Sequence, residues 1–195
     1  MNYFTSDIHF NDAQTLKVDA RPFKTTKAFD KFIIKMWNKQ AKKQDTIYCV
    51  GDFVDCDGPG HTSWQTSIKY IKKIKADVVL IMGNNEERVV KNFFNDNFSA
   101  FKDCLINLGF KDVLPDKEMA FGGHDFFLTH KPINHKNGVV NLFGHIHRST
   151  GIYRPFGFNI GCDPNHFRLY SEQDILNLIE MRDKYWLKDK NVNIW

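Results

Sequence analysis

The chain has 195 residues, 42% of them apolar and 18 of them phenylalanine, enough for one domain (1–195) with an aromatic-rich core and too few for two comfortable ones. A formal net charge of +4 points weakly to an anionic ligand and is poor support for nucleic-acid binding, which usually brings a clustered basic stripe. No apolar run reaches membrane-spanning length, the start MNYFTSDIHF lacks a leader pattern, and Cys49, Cys56, Cys104 and Cys162 fit no zinc or disulfide framework, so free buried thiols in a cytoplasmic protein are expected.

In chain order, NYFTSD reads as a short buried strand ending in polar residues. TTKAFDKFIIKMWNKQAKK is an amphipathic helix that Thr25 or Thr26 can cap, with Phe29, Phe32, Ile33, Met36 and Trp37 at helical spacing. DTIYCVGD is a second strand, and SWQTSIKYIKKIK a second helix whose lysines form a solvated face. DVVLIMGNN is a third strand, continuously apolar as in a sheet covered on both faces, and helical pieces follow at 86–95 and 99–108. The second half is richer in strands. KEMAFGGHDFFLTH is a hairpin turning at Gly122-Gly123, VVNLFGH is a strand, and GIYRPFGFNIG holds two more. Ser171 with Asp174 forms a capping box for a last helix near 172–188, where Ile175, Leu178, Ile179, Arg182 and Trp186 share a face. Two packed sheets flanked by helices fit this order.

The chemistry lies in how the strands end. The first strand runs into Asp7 and His9, the second into Gly51-Asp52 and the third into Gly83-Asn84; later strands run into Thr129-His130 and into Gly144, His145 and His147. Ligands of open α/β sheets gather at the carboxyl ends of strands. Mixed imidazole and carboxylate donors suit zinc, iron, manganese, cobalt or nickel. Seven donors are too many for one catalytic ion with an open position and about right for two that share a carboxylate. The spacing Asp7-x-His9, repeated in His145-x-His147, would let an extended strand end aim two donors the same way. The glycines before Asp52, Asn84 and His145 clear bulk where the backbone must turn.

SDIH, GDFVD, GNNE, a lone TH and GHIH, in that order from Asp7 to His147, resemble the five motifs of the calcineurin-like metallophosphoesterases, in particular their small stand-alone bacterial and phage-type members. RPF and FNIGCD are similar to segments of those proteins. The resemblance implies a four-layer α/β/β/α sandwich of two mixed sheets. It also implies two divalent ions: Asp7, His9, Asp52 and His147 would hold the first, and Asp52, Asn84, His130 and His145 the second, with Asp52 bridging. Such ions lie roughly 3.5–4 Å apart and bind a phosphate ester while acidifying a bridging water. Asp52, Asn85 and His145 would then be the catalytic residues, and Asn85 and Arg88 substrate contacts.

The residue after the metal-binding asparagine is usually a histidine in that family, thought to protonate the leaving oxygen. Here it is Asn85, which donates hydrogen bonds but delivers no proton. General-acid help is worth about 10²–10⁴-fold, mostly for poor leaving groups, so a phosphodiesterase acting on a nucleotide-like or cyclic substrate is favoured. A phosphomonoesterase, a nucleotide pyrophosphohydrolase or a scaffold that has lost its chemistry are the alternatives. Asp55 is either a partner that orients a histidine or a loop carboxylate, His135 is close enough in sequence to line the site, and His61, His124 and His166 are expected to lie on the surface.

Overall fold

A computed structural model of the chain describes residues 1–55, 63–148 and 153–186. The sequence readings at Cys56, His61, the first two residues of GIYRPFGFNIG, the side chain of Trp186 and the end of the last helix lie outside the described residues.

The first half runs β1 (Asn2–Thr5), α1 (Ala13–Val18), α2 (Thr26–Gln40), β2 (Thr46–Val50), α3 (Trp64–Ser67), β3 (Asp77–Ile81), α4 (Asn84–Phe94), α5 (Phe98–Leu108) and β4 (Asp112–Leu114). The second half adds β5 (Lys117–Phe121), β6 (His124–Leu128), β7 (Val140–Phe143), β8 (Tyr153–Arg154), β9 (Gly157–Asn159), β10 (Tyr170–Ser171) and α6 (Glu172–Met181). The strands form two five-stranded mixed sheets, in the orders β10-β1-β2-β3-β4 and β5-β6-β7-β9-β8. In the first, β1 to β4 are parallel and β10 runs antiparallel to β1. In the second, β6, β7 and β9 are parallel between antiparallel edges. This is the expected architecture of two mixed sheets flanked by helices.

Alternation along the first sheet makes two cores. Ile47, Cys49, Val78, Leu80 and Val113 face the helices and pack with Phe29, Ile33, Trp37 and Val89. Val50, Val79 and Ile81 face the other way, against Phe126, Leu128, Leu142 and Phe158 of the second sheet. Strand β3 is thus covered on both faces, as its unbroken apolar run requires. Ile175 and Ile179 of α6 join the core between the sheets. Thr25 is the residue that caps α2, its hydroxyl accepting from Ala28 N at 3.2 Å. Both Gly122 and Gly123 have positive φ, +56° and +80°, as a tight hairpin turn demands.

Helix α1 and strand β4 have no counterpart in the sequence reading. Each is short, three to six residues, and carries too few apolar positions to display a period. Cys49 and Cys162 are buried and unpaired, and Cys104 is half-buried. Among the described residues no helix is long and apolar enough to cross a membrane.

Candidate metal centre

The carboxyl ends of β1, β2 and β3 in one sheet and of β6 and β7 in the other meet at a common edge, where Ser6 bridges to Gly161 across the two. There the backbone departs from regular geometry. Asp7, His9, Asp52, His145 and His147 all have left-handed φ, between +45° and +71°. Such conformations cost about 1–3 kcal/mol each, and they persist where the surroundings over-determine them, as at functional sites. This corrects the expected device: β1 stops at Thr5, so Asp7 and His9 are not aimed by an extended strand. Each is instead turned inward by its own left-handed bend, a conformation Asp and His adopt more readily than most residues.

One half of the centre is built on Asp7, His9 and His147. His9 Nε2 is buried and has no hydrogen-bond partner; it stands 3.5 Å from Asp52 Oδ2. On its other nitrogen, His9 faces Asp12 Oδ2 at 3.5 Å and Asn85 Nδ2 at 3.2 Å. His147 donates from Nδ1 to Asp19 Oδ2 at 2.6 Å, which leaves its Nε2 facing Asp7 Oδ1 at 3.8 Å. Asn159 donates to the His147 carbonyl at 2.6 Å. Burial raises the Asp12 and Asp19 carboxyls, but His9 and Thr15 for the one, and His147 and Arg21 for the other, outweigh it and hold both below the usual range.

The other half begins at α4. Asn84 Oδ1 accepts from His145 Nδ1 at 2.7 Å and from His130 Nε2 at 3.0 Å. His130 Nδ1 donates to the Val50 carbonyl at 2.8 Å, fixing the ring with Nε2 inward. Gly51 makes room for that ring: its φ is +86°, and a Cβ there would lie 2.6 Å from His130 Cγ. Asp52 joins the halves. Its Oδ1 accepts from Asn85 N at 3.0 Å, at the start of α4, and its Oδ2 stands 3.5 Å from both His130 and His9. Burial raises the Asp52 carboxyl, but His130 and His9 outweigh it and the net shift is downward; His130 itself is pushed up to about 9 by Asp52 and Asp7 against its burial.

Glu86, which the sequence reading passed over, is fully buried. Its Oε2 accepts from Asp52 N and Gly83 N, both at 2.9 Å, and its Oε1 from Phe53 N and Val54 N at 3.0 and 3.2 Å. Four backbone donors therefore tie the loop after β2 to the first turn of α4. Burial and the charge of Asp52 push the Glu86 carboxyl up, and these donors oppose them. A Cβ at Gly83 would lie 2.7 Å from Glu86 Oε2 and closer still to Asp52. The available signal was a glutamate three residues after a helix-opening Gly.

Other expected positions fall in different places. Asn85 is buried, and its amide is committed inward: Nδ2 donates to the Val54 carbonyl at 3.0 Å and meets His9 Nδ1, and Oδ1 accepts from Asn84 Nδ2 at 3.3 Å. Arg88 is exposed on α4 and lines a cavity of ≈ 320 Å³ above Asp52, Asn84, His145 and His147, with Thr15 and Val18 of α1 opposite. Asp55 is fully buried, and Asp12 and Asp19 stand against the far nitrogens of His9 and His147. His135 does not line that cavity. Its ring stacks on Phe156, centroids 4.2 Å apart, in a separate hollow that also takes in His124. His166 is exposed.

The donor set fits a metal. Asp7, His9 and His147 each offer an atom within 4.8 Å of the others, and so do Asp7, Asp52 and His130. Donors about 2.1 Å from a shared ion stand about 3.0–3.4 Å apart, close to the 3.5 Å between Asp52 Oδ2 and each of two imidazoles. The partnerless His9 Nε2 points into that space. An ion on the other side would take the place of the imidazole protons that meet at Asn84 Oδ1.

The chain is similar to several known proteins. An uncharacterised protein of Methanocaldococcus jannaschii is similar at 23% identity over 189 residues, 91% of this chain and 90% of its own length. The crystal structure of a protein of unknown function from Aquifex aeolicus is similar with a TM-score of 0.63 at 21% identity, covering 91% of this chain and 98% of that one. The structure of Yfce, a phosphoesterase from E. coli, is similar with a TM-score of 0.45 at 16% identity, covering 83% and 78%. The family model described as calcineurin-like phosphoesterase matches residues 3–192, so the chain belongs to that family and is a metal-dependent phosphoesterase.

Proposed function

We propose that the protein hydrolyses a phosphodiester, nucleotide-like or cyclic, at a centre of two divalent ions (manganese, iron, zinc, nickel or cobalt). Asp7, His9, Asp52 and His147 would hold one ion and Asp52, Asn84, His130 and His145 the other. The observation that carries the pair is Asp52 Oδ2, equally distant at 3.5 Å from His9 Nε2 and His130 Nε2, one on each side. Bound there, two ions supply the charge that holds a phosphoryl group and the acidity that readies a water for in-line attack.

The protein's own groups set the rest. Asp7 and Asp52 return only two negative charges to the ions, and neutral Asn84 returns none, so the floor of the cavity favours an anion. His145, held below its ordinary pKa by burial and by His130, is a neutral imidazole at pH 7. Arg88 at the rim can reach non-bridging phosphate oxygens. The P–O ester bond breaks as the water oxygen bonds to phosphorus, and the leaving oxygen then needs a proton. Asn85 has none to give, and its amide is spent on His9, Val54 and Asn84. A leaving group that departs without an acid is therefore preferred, which favours activated diesters over simple phosphomonoesters.

The test is a substrate panel with manganese, nickel or zinc: bis-p-nitrophenyl phosphate against p-nitrophenyl phosphate, then cyclic nucleotides. The diester should be turned over faster. Activity confined to the monoester sinks the diesterase reading, and no activity with no metal bound would favour a scaffold. Asn85→His should speed esters with poor leaving groups more than activated ones; an equal effect would place Asn85 away from the leaving oxygen.

A further inference from the structure

We propose that the segment from Asp12 to Arg21 is a positioning clip for one half of the centre, with Arg21 its main residue, and that it governs affinity for the first ion and not the second. The inference rests on the two-ion reading above. The Arg21 side chain is 1% exposed, and its guanidinium is fully engaged. Nε and Nη2 clasp the two oxygens of Asp163 at 3.0 and 2.8 Å. Nη1 donates to the Ile8 carbonyl and Nη2 to the Asp7 carbonyl, both at 2.7 Å. The guanidinium also lies over Phe29, 4.7 Å from the ring centroid.

Those two carbonyls belong to the stretch that bends left-handed at Asp7 and again at His9. Arg21 thus fastens the strained backbone between two expected ligands to Asp163, on the loop after β9. The rest of the segment does the same for the imidazoles. Asp12 caps α1, accepting from Gln14 N and Thr15 N at 2.7 and 3.0 Å, and faces His9; Asp19 ends α1 and takes the His147 Nδ1 proton. A carboxylate on the far nitrogen fixes which imidazole nitrogen faces a metal. Asn84, His130 and His145 draw on other partners: one another, the Val50 carbonyl and, through His145 N, the Asp7 carboxylate. A lysine at position 21 brings one point charge and cannot span a carboxylate and two carbonyls together.

The test titrates metal-free full-length protein with manganese chloride, following uptake by calorimetry and by the electron-spin signal of free manganese. Wild type should take two equivalents. Arg21→Lys and Asp19→Asn should each weaken one equivalent by about 10–100-fold and leave the other unchanged. The equivalent that survives should be the one removed by Asn84→Ala. If Arg21→Lys does not fold, Asp19→Asn decides, since it is a near-isosteric change at a partly exposed site. Equal weakening of both equivalents, or of neither, overturns the clip. A wild type that takes one ion only overturns the two-ion reading instead; for that ion, unchanged affinity in both variants overturns the clip, and a 10–100-fold loss upholds it.

Discussion

Around Asp7, His9 and His147 the side chains are aimed by left-handed bends, and charged groups hold the bends: Arg21 on two carbonyls, Asp12 and Asp19 against two imidazoles. Around Asn84 the aiming is done by an ordinary helix start, with Glu86 collecting four backbone N–H groups beneath it. The difference is between Asp7 and His9, whose strained backbone is restrained from a distance, and Asn84, whose regular helix start is secured locally; Asp52 and His145 share the left-handed geometry. The first arrangement draws its supports from distant stretches of chain, with Asp163 more than a hundred residues from Arg21. The support of Asn84 itself is nearly complete within residues 83–86 and the loop they grip, while His130 and His145 reach it from the ends of β6 and β7.

The largest effect should come where the halves join. Asp52 accepts from α4 with one oxygen and faces imidazoles on both sides with the other. Asp52→Asn should reduce phosphoesterase activity to background and lower metal content in the purified protein. Full activity in that variant would break the two-ion reading and the comparison with it. Next is Glu86→Gln. The amide turns an N–H toward backbone donors and leaves about two of them unpaired, at about 1–3 kcal/mol each. Denaturation should show a stability loss on the order of 2–6 kcal/mol, with metal uptake weakened chiefly on the Asn84 side. A loss confined to the His9 side would mean the halves are not separately supported.

In both halves the sequence made the donors easier to read than the groups that support them. Strand ends, Gly51, Gly83 and the order of donors were visible because each is a local signal: an apolar run, a glycine, a polar residue. The capping of α2 and α6 was visible for the same reason. Arg21 was not, although RPF and FNIGCD stood out as segments; nothing in either says that its Arg and its Asp, 142 positions apart, meet. Asp12 and Asp19 drew no reading because α1, six residues long, shows no period. Left-handed φ leaves no mark at Asp or His, which also occur at ordinary turns. Asn85 lies at the start of α4 and lines the cavity. Its amide bonds to Val54 and meets His9, partners that position in the sequence does not show.

The smallest effect tests how far charge is needed beneath the strained half. Asp30 on α2 is buried, and its Oδ1 accepts at 3.1 Å from the backbone N of Asn11, another left-handed residue just past His9. Burial pushes this carboxyl up, against the pull of the Asn11 N–H. A carboxyl raised in the folded state binds its proton more tightly there than in the unfolded chain. Below the ordinary carboxylate range, about pH 4, both states are protonated and no penalty arises. As pH climbs through that range toward the raised folded pKa, the unfolded chain ionises first and stability falls; above it the full cost remains. Asparagine keeps the acceptor for Asn11 N and carries no charge. Asp30→Asn should therefore be slightly more stable than wild type at pH 7, by urea denaturation, with the gain fading toward pH 4. A loss of stability at pH 7 would mean the ionised carboxylate is needed to hold the bend at Asn11. The charged support of that half would then extend from Arg21, Asp12 and Asp19 down into α2.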